Sequence, residues 1–166
     1  MSIDAYREHF LSGKPQLIAT AVAQLACLAS EKASEILRQL ITDIHPKVRA
    51  RVAIAAHEIN LPNVEQLVLP LLDDQQDYVR WHACEILHFR ACRNASAKLL
   101  GLMSHDVDPL VRNRASIALG TIGSLDDVPV MEKAASAEHD VDHEGSPISL
   151  AIARSIQLIR ERYTIK

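Results

Sequence analysis

Apolar residues recur along most of this chain three or four positions apart, the spacing that lines one face of an α-helix. One short version of that pattern returns three times. The stretches are His45 to Ile59 (HPKVRARVAIAAHEI), Gln76 to Phe89 (QDYVRWHACEILHF) and Asp108 to Gly123 (DPLVRNRASIALGTIG). Each has a Val-Arg pair just after a turn, a small or apolar residue four places after the Val, and another four places beyond that. Val48, Val79 and Val111 share a register, as do Val52, Ala83 and Ala115, then Ala56, Leu87 and Leu119. The copies are 31 and then 32 residues apart. Self-similarity at that period predicts a solenoid of stacked helical units, none of which can bury its apolar face alone.

Between the copies a second set of helices keeps its own period. Ile36, Leu37, Leu40 and Ile41 align with Leu67, Val68, Leu71 and Leu72, then with Leu99, Leu100 and Met103, then with Val130, Met131, Ala134 and Ala135. Each unit therefore reads helix, turn, helix, turn. The turns carry stop and start chemistry at Asn60 to Asn63, Asp73-Asp74, His105 to Pro109 and Gly123-Ser124. Near the start, Ile3 to Leu11 forms a short helix. Gln16 to Ala29 reads as a degenerate copy without the Val-Arg pair, as expected of a capping repeat. Near the end, Pro147 to Arg162 aligns Ile148 with Val111. The spacing there has grown to 37 residues, and the excess sits in the polar segment Ser136 to Ser146, which reads as a mobile insertion. The expected organisation is one domain over 1–166, with atypical capping helices at 1–30 and 147–166.

Composition sharpens this picture. Among 166 residues 48% are hydrophobic but only 4% aromatic, so the core must be Ala, Leu, Ile and Val packed closely between helices. The formal net charge of -3 and pI near 6.2 give no overall pull toward nucleic acid or anionic lipid and suit a basic partner. Cys27, Cys84 and Cys92 are odd in number and lack a CxxC spacing, which argues against a disulfide framework or a structural zinc site. No run of ~18 apolar residues occurs, and the N-terminus lacks signal-peptide character. A soluble cytoplasmic protein with no cofactor and no membrane contact is expected.

Period alone does not separate the helical repeat families, but sequence signatures do. No copy carries the Trp-Leu-Gly-Tyr pattern of tetratricopeptide repeats or the Thr-Pro-Leu-His of ankyrin. The turn Asp followed by V-R-x-x-A and an apolar pair, seen in Asp77 to Leu87 and Asp108 to Leu119, resembles HEAT repeats. The compact unit looks most like the short HEAT-like repeats named after phycobilisome lyases. That resemblance covers about Gln16 to Arg162. It implies an all-α, right-handed α-α superhelix of about five helix-pair units, with the second helix of each unit lining a concave groove.

Several columns of residues then call for a role. Arg49, Arg80 and Arg112 stand in one column, and the resemblance implies that each pairs with an Asp of a neighbouring turn, with Asp43, Asp77 and Asp108 at hand. An Arg fork held by carboxylates and carbonyls would fix the turn and align successive units. Arg51, His82 and Arg114 form a second column, partly neutralised by Glu58 and Glu85, which reads as a solvated face. A third column faces ~200–240° away from each Val and holds Ala50 and Ile54, Trp81 and Glu85, Asn113 and Ile117, then Leu150 and Arg154. His57 and His88 flank it. An amphipathic helix should be polar here, yet Ile54, Trp81 and Ile117 are not. By the resemblance these residues form an apolar stripe with charged edges in the groove. That is the composition of an interface hot spot, with Asn113 at its polar margin.

Catalytic and metal constellations are weak. Cys84 and His88 stand four apart on one helix face, but a nucleophile also needs an orienting group and an oxyanion site. His139, Asp140, Asp142, His143 and Glu144 offer ligand types without the spacing of a calcium loop or an HExxH helix. The expected function is a non-enzymatic module that holds a protein partner in its groove. Small bacterial proteins similar to this repeat class serve as adaptors, assembly factors and immunity proteins. Two rivals belong to other classes. A bilin lyase or chromophore-handling factor shares the repeats. A HEAT-like DNA glycosylase would use Trp81, Glu85, Arg51 and Arg114, against which the net acidity argues.

Overall fold

The computed structural model describes residues 1–164, and among these every regular element is helical. In order they are α1 (Ile3–Ser12), α2 (Pro15–Ala26), α3 (Ser30–Leu40), α4 (Pro46–Glu58), α5 (Val64–Val68), α6 (Asp77–Phe89), α7 (Ser96–His105), α8 (Pro109–Ile122), α9 (Val128–Ala137) and α10 (Ile148–Thr164). Short 3-10 turns lie at Leu69–Asp73, Arg93–Ala95 and Leu125–Asp127. The sole extended pairing among the described residues is an isolated bridge between Val141 and Pro147. No described helix is long and apolar enough to cross a membrane.

The register read from the sequence is the register of burial. Val48, Val52 and Ala56 on α4, Val79, Ala83 and Leu87 on α6, and Val111, Ala115 and Leu119 on α8 are all 0% exposed. Helix starts follow local chemistry. Pro opens α2, α4 and α8, where its missing N–H costs nothing. Asp108 caps α8 by accepting from the Val111 amide at 2.9 Å.

The helices fall into two compact units divided at Leu71–Leu72. In the first, α1 packs on α2, α3 and α4, and α4 also receives α3 and α5. Tyr6 and Phe10 on α1 are each 1% exposed. Arg7 donates to the Asp43 carboxylate from Nε at 2.5 Å and Nη2 at 3.3 Å. So α1 supplies an apolar-Arg pair, whereas the sequence reading placed the first, degenerate copy in α2 without one. The Tyr6-Arg7-Phe10 spacing matches Val48-Arg49-Val52, but it lies 42 residues upstream instead of 31, outside the period. In the second unit α8 is central: α6, α7 and α10 pack against it, and α9 packs on α7 and α10.

The turn after α4 and the turn after α6 are built alike. Asn60 (φ 53°) and Ala91 (φ 50°) adopt the left-handed conformation. The next amides, of Leu61 and Cys92, donate back to the carbonyls of Ala56 and Leu87 at 2.9 and 3.1 Å. This is the helix-ending geometry that favours Gly or Asn. A Cβ at this φ is strained, so Ala91→Gly should raise stability by ~0.5–1 kcal/mol. Chemical denaturation with an unchanged slope checks this.

Candidate protein-binding face

The arginine column forms a ladder across the turns. Arg80 donates from Nε and Nη2 to both oxygens of Asp106, each at 2.7 Å, and from Nη1 to the carbonyls of Asp74 and Gln75 at 2.8 and 3.2 Å. Arg112 repeats the arrangement. It holds Glu138 at 2.6 and 3.1 Å, reaches Asp140, and donates to the Asp106 carbonyl at 2.9 Å. In the first unit Arg49 donates to the Asp43 carbonyl at 2.7 Å. Each acidic residue also accepts from the amide two places on: Asp43 from His45, Asp74 from Gln76, Asp106 from Asp108, Glu138 from Asp140. The arginines are thus structural, as expected, but the carboxylate partner is not the expected one. Asp108 serves as an N-cap, Asp77 accepts from the Tyr78 amide, and the arginines of α6 and α8 reach forward 26 residues to the next turn. The guanidinium of Arg112 holds the Glu138 carboxyl below its ordinary range.

That ladder leaves the remaining polar face of α6 and α8 open to other work. Trp81 is half-buried. Its ring stacks on His82, with centroids 3.7 Å apart and planes 30° inclined, and the Arg114 guanidinium carbon lies 5.8 Å from its centroid, within cation–π range. His82 Nδ1 is 3.7 Å from Glu85 Oε2. One turn on, His88 Nδ1 and the Thr121 hydroxyl are 2.8 Å apart, and burial pushes the His88 pKa down. Ile117 is half-buried between these pairs on α8. Trp81, His82, Glu85, His88, Arg114 and Ile117 therefore share one surface.

In the first unit, α4 carries Arg51, Ile54 and His57, all half-buried on its non-core side. Two members of the expected stripe differ from their assignment. Ala50 and Asn113 are each 4% exposed, and the Asn113 Oδ1 is buried without a hydrogen-bond partner. Asn113 is no polar margin. It stands two turns before Gly120 on the same side of α8, the side that meets α10 at Ser155.

The apolar surface extends further than the sequence pattern indicated. Phe89 is 62% exposed, and on α10 Leu150 and Leu158 are 46% and 54% exposed. By repeat register Leu150 matches Trp81, and Leu158 matches Phe89 and Thr121. Leu150 belongs to the column already marked in the sequence, whereas the signal for Phe89 and Leu158 was an apolar residue eight places after the stripe position, at the helix ends where periodicity is least informative.

Neither chemical constellation assembles. Cys84 is 0% exposed, and burial pushes its thiol up to about 12, which removes the thiolate a nucleophile requires. In the loop after α9, Asp140 is taken by Arg112. Asp142 accepts from the amides of Glu144 and Ser146 at 2.9 Å. Together with the Val141–Pro147 bridge and a left-handed Gly145 (φ 83°), this makes a hydrogen-bonded turn within the inserted segment. No described group of three or more His, Cys, Asp or Glu is placed to hold a metal.

Residues 64–145 match the family model of HEAT repeats. No curated protein matches the chain.

Proposed function

This chain is a HEAT-like repeat protein, and on that premise we propose that it is a non-enzymatic protein-interaction module. It works as an adaptor, assembly factor or immunity-type inhibitor, and it seats its partner on the face of α6 and α8. The observation that carries the reading is the cluster at Trp81. The single Trp of the sequence stands half-open, flanked by His82 and Arg114 and continuous with Ile117. An aromatic and an arginine at the centre of an apolar patch are the residue types that dominate protein interfaces. In the first unit Ile54, with Arg51 and His57, offers the same mix on α4.

A Cys84–His88 nucleophile finds no support in the geometry, because Cys84 is sealed and His88 is engaged with Thr121. The test is affinity capture from the native host with wild type and with Trp81→Ala, both verified to melt cooperatively. A specific protein retained by wild type should be weakened well over tenfold by Trp81→Ala, corresponding to ~2 kcal/mol. Lys133→Ala on α9, an exposed residue of the outer helix layer, should retain it. Equal capture by the two variants would refute the assignment of the binding face.

A further inference from the structure

In the first unit, where α1 packs on α2, the two helices border a cavity of about 440 Å3, inside the ~300–1,000 Å3 of small-molecule sites. Thr20, Ala23, Gln24 and Cys27 come from one side of α2 and its end, at spacings of three, one and three. They stand beside Ala21 and Leu25, which are sealed in the core. Met1 and Leu28 add apolar wall, and Tyr6 enters from α1. No side chain lining this cavity is charged. Three cavities along the turns of the second unit differ in kind, since each is lined by an arginine and an aspartate.

Tyr6 gives the cavity a specific chemistry. It is 1% exposed, yet its hydroxyl has no hydrogen-bond partner among the described residues, whereas a buried Tyr O–H ordinarily finds one. Burial, and after it the neighbouring Cys27 thiol, push the Tyr6 pKa up. The group is therefore a neutral donor, and it lies toward Cys27, which is the cavity side. The Thr20 hydroxyl already donates to the Gln16 carbonyl at 2.8 Å, so Tyr6 holds the unused hydroxyl proton of this wall. A donor left without an acceptor destabilises the fold, and a bound acceptor removes that cost.

We infer that this cavity binds a small uncharged amphipathic molecule, an apolar body carrying a ketone, ester or ether oxygen. The oxygen accepts from the Tyr6 hydroxyl while the apolar body lies along Ala23, Leu28 and Met1. Two features select this class. With no charged side chain in the wall, nothing compensates an ionised ligand for the water it leaves. A plain hydrocarbon, in turn, would leave the Tyr6 hydroxyl unpaired. The site is separate from the Trp81 cluster on α6 and α8, and the inference does not rest on the protein-interaction reading.

Cys27 supplies the handle for the experiment. It is exposed, whereas Cys84 and Cys92 are buried, so disulfide-capped fragments exchange with the folded full chain at Cys27. A library of neutral, acidic and basic fragments is equilibrated with the chain under graded reductant and read by intact mass. Cystamine, which has no apolar body, measures thiol reactivity alone. Neutral fragments with an apolar ring and a carbonyl or ether oxygen should be captured roughly tenfold better than cystamine. Tyr6→Phe, which removes only the hydroxyl, should lower their capture roughly fivefold and leave cystamine capture and melting unchanged. Ala23→Phe, at an exposed position of α2, should fill the cavity and abolish the preference. Capture no better than that of cystamine, a preference for charged fragments, or capture that persists in Cys27→Ser would each overturn the inference. So would a preference that survives both Tyr6→Phe and Ala23→Phe.

Discussion

Arg80→Ala is expected to destabilise the protein by ~3–5 kcal/mol, the range for breaking a buried ion pair by removing one partner. The side chains of Arg80 and Asp106 are 11% and 4% exposed. Deleting the guanidinium leaves a carboxylate with one remaining donor, the Asp108 amide, and strands the carbonyls of Asp74 and Gln75 in the turn before α6. Two consequences separate this from an ordinary surface change. The loss should exceed that of Arg154→Ala, which removes an exposed arginine and should stay within ~0.5 kcal/mol. Arg80→Lys should recover only part of the loss, because one ammonium cannot serve two carboxylate oxygens and two carbonyls together. Denaturant titration followed by circular dichroism measures all three, and wild-type stability in Arg80→Ala would show that the ladder contributes nothing net.

The ladder also predicts an acid-sensitive limb. Glu138 is held below its ordinary carboxylate range by Arg112. Its contribution is therefore complete above the unfolded value and disappears as pH falls through the folded one. In Arg112→Ala this part of the pH dependence should be missing, because the shift and its cause go together.

Much of this architecture was legible in the sequence alone, and the reason is physical. A 31–32 residue period forces equivalent positions into equivalent environments, so the nine residues aligned from the Val-Arg copies are all sealed. The identity of the arginine partners was not legible. Pairing depends on which turn lies beneath a guanidinium, and the stacking of repeats puts the following turn there, 26 residues on, while the local Asp turns inward to cap its helix. The place of α1 was hidden for a related reason. Tyr6 and Arg7 imitate Val48 and Arg49 in contact but not in spacing. On the face proposed for binding, helical periodicity singled out Trp81 and Ile117, which break the polar side of α6 and α8 and are half-buried there. It misplaced Asn113, since whether a polar residue is open or enclosed depends on how near the neighbouring helix comes.

That nearness has its own sequence cause, and it yields the second large effect. A Cβ placed on Gly120 would lie 2.9 Å from Ser155 Oγ, 3.1 Å from its Cβ and 3.2 Å from its Cα. The first is closer than real Cβ contacts come and the other two are tighter than most, and because the obstruction includes the Ser155 backbone as well as its short side chain, rotation alone does not relieve it. Gly120 therefore sets the separation of α8 and α10. Gly120→Val must push the two helices apart, opening the Ile152 and Ile159 packing, with an expected loss of ~3 kcal/mol. Helix propensity acts in the opposite direction by up to ~1 kcal/mol, so a net loss measures the steric effect. Gly101 isolates that propensity effect, because it is exposed in α7 and a methyl group added to it would meet nothing within 4 Å. Gly101→Ala should stabilise by ~0.5–1 kcal/mol. Ser155→Gly in the Gly120→Ala background should restore part of what Gly120→Ala loses, a coupling expected only of residues in contact. Additive behaviour of the pair would mean that α8 and α10 do not meet at Gly120, and the α6–α8–α10 face would lose its geometric basis.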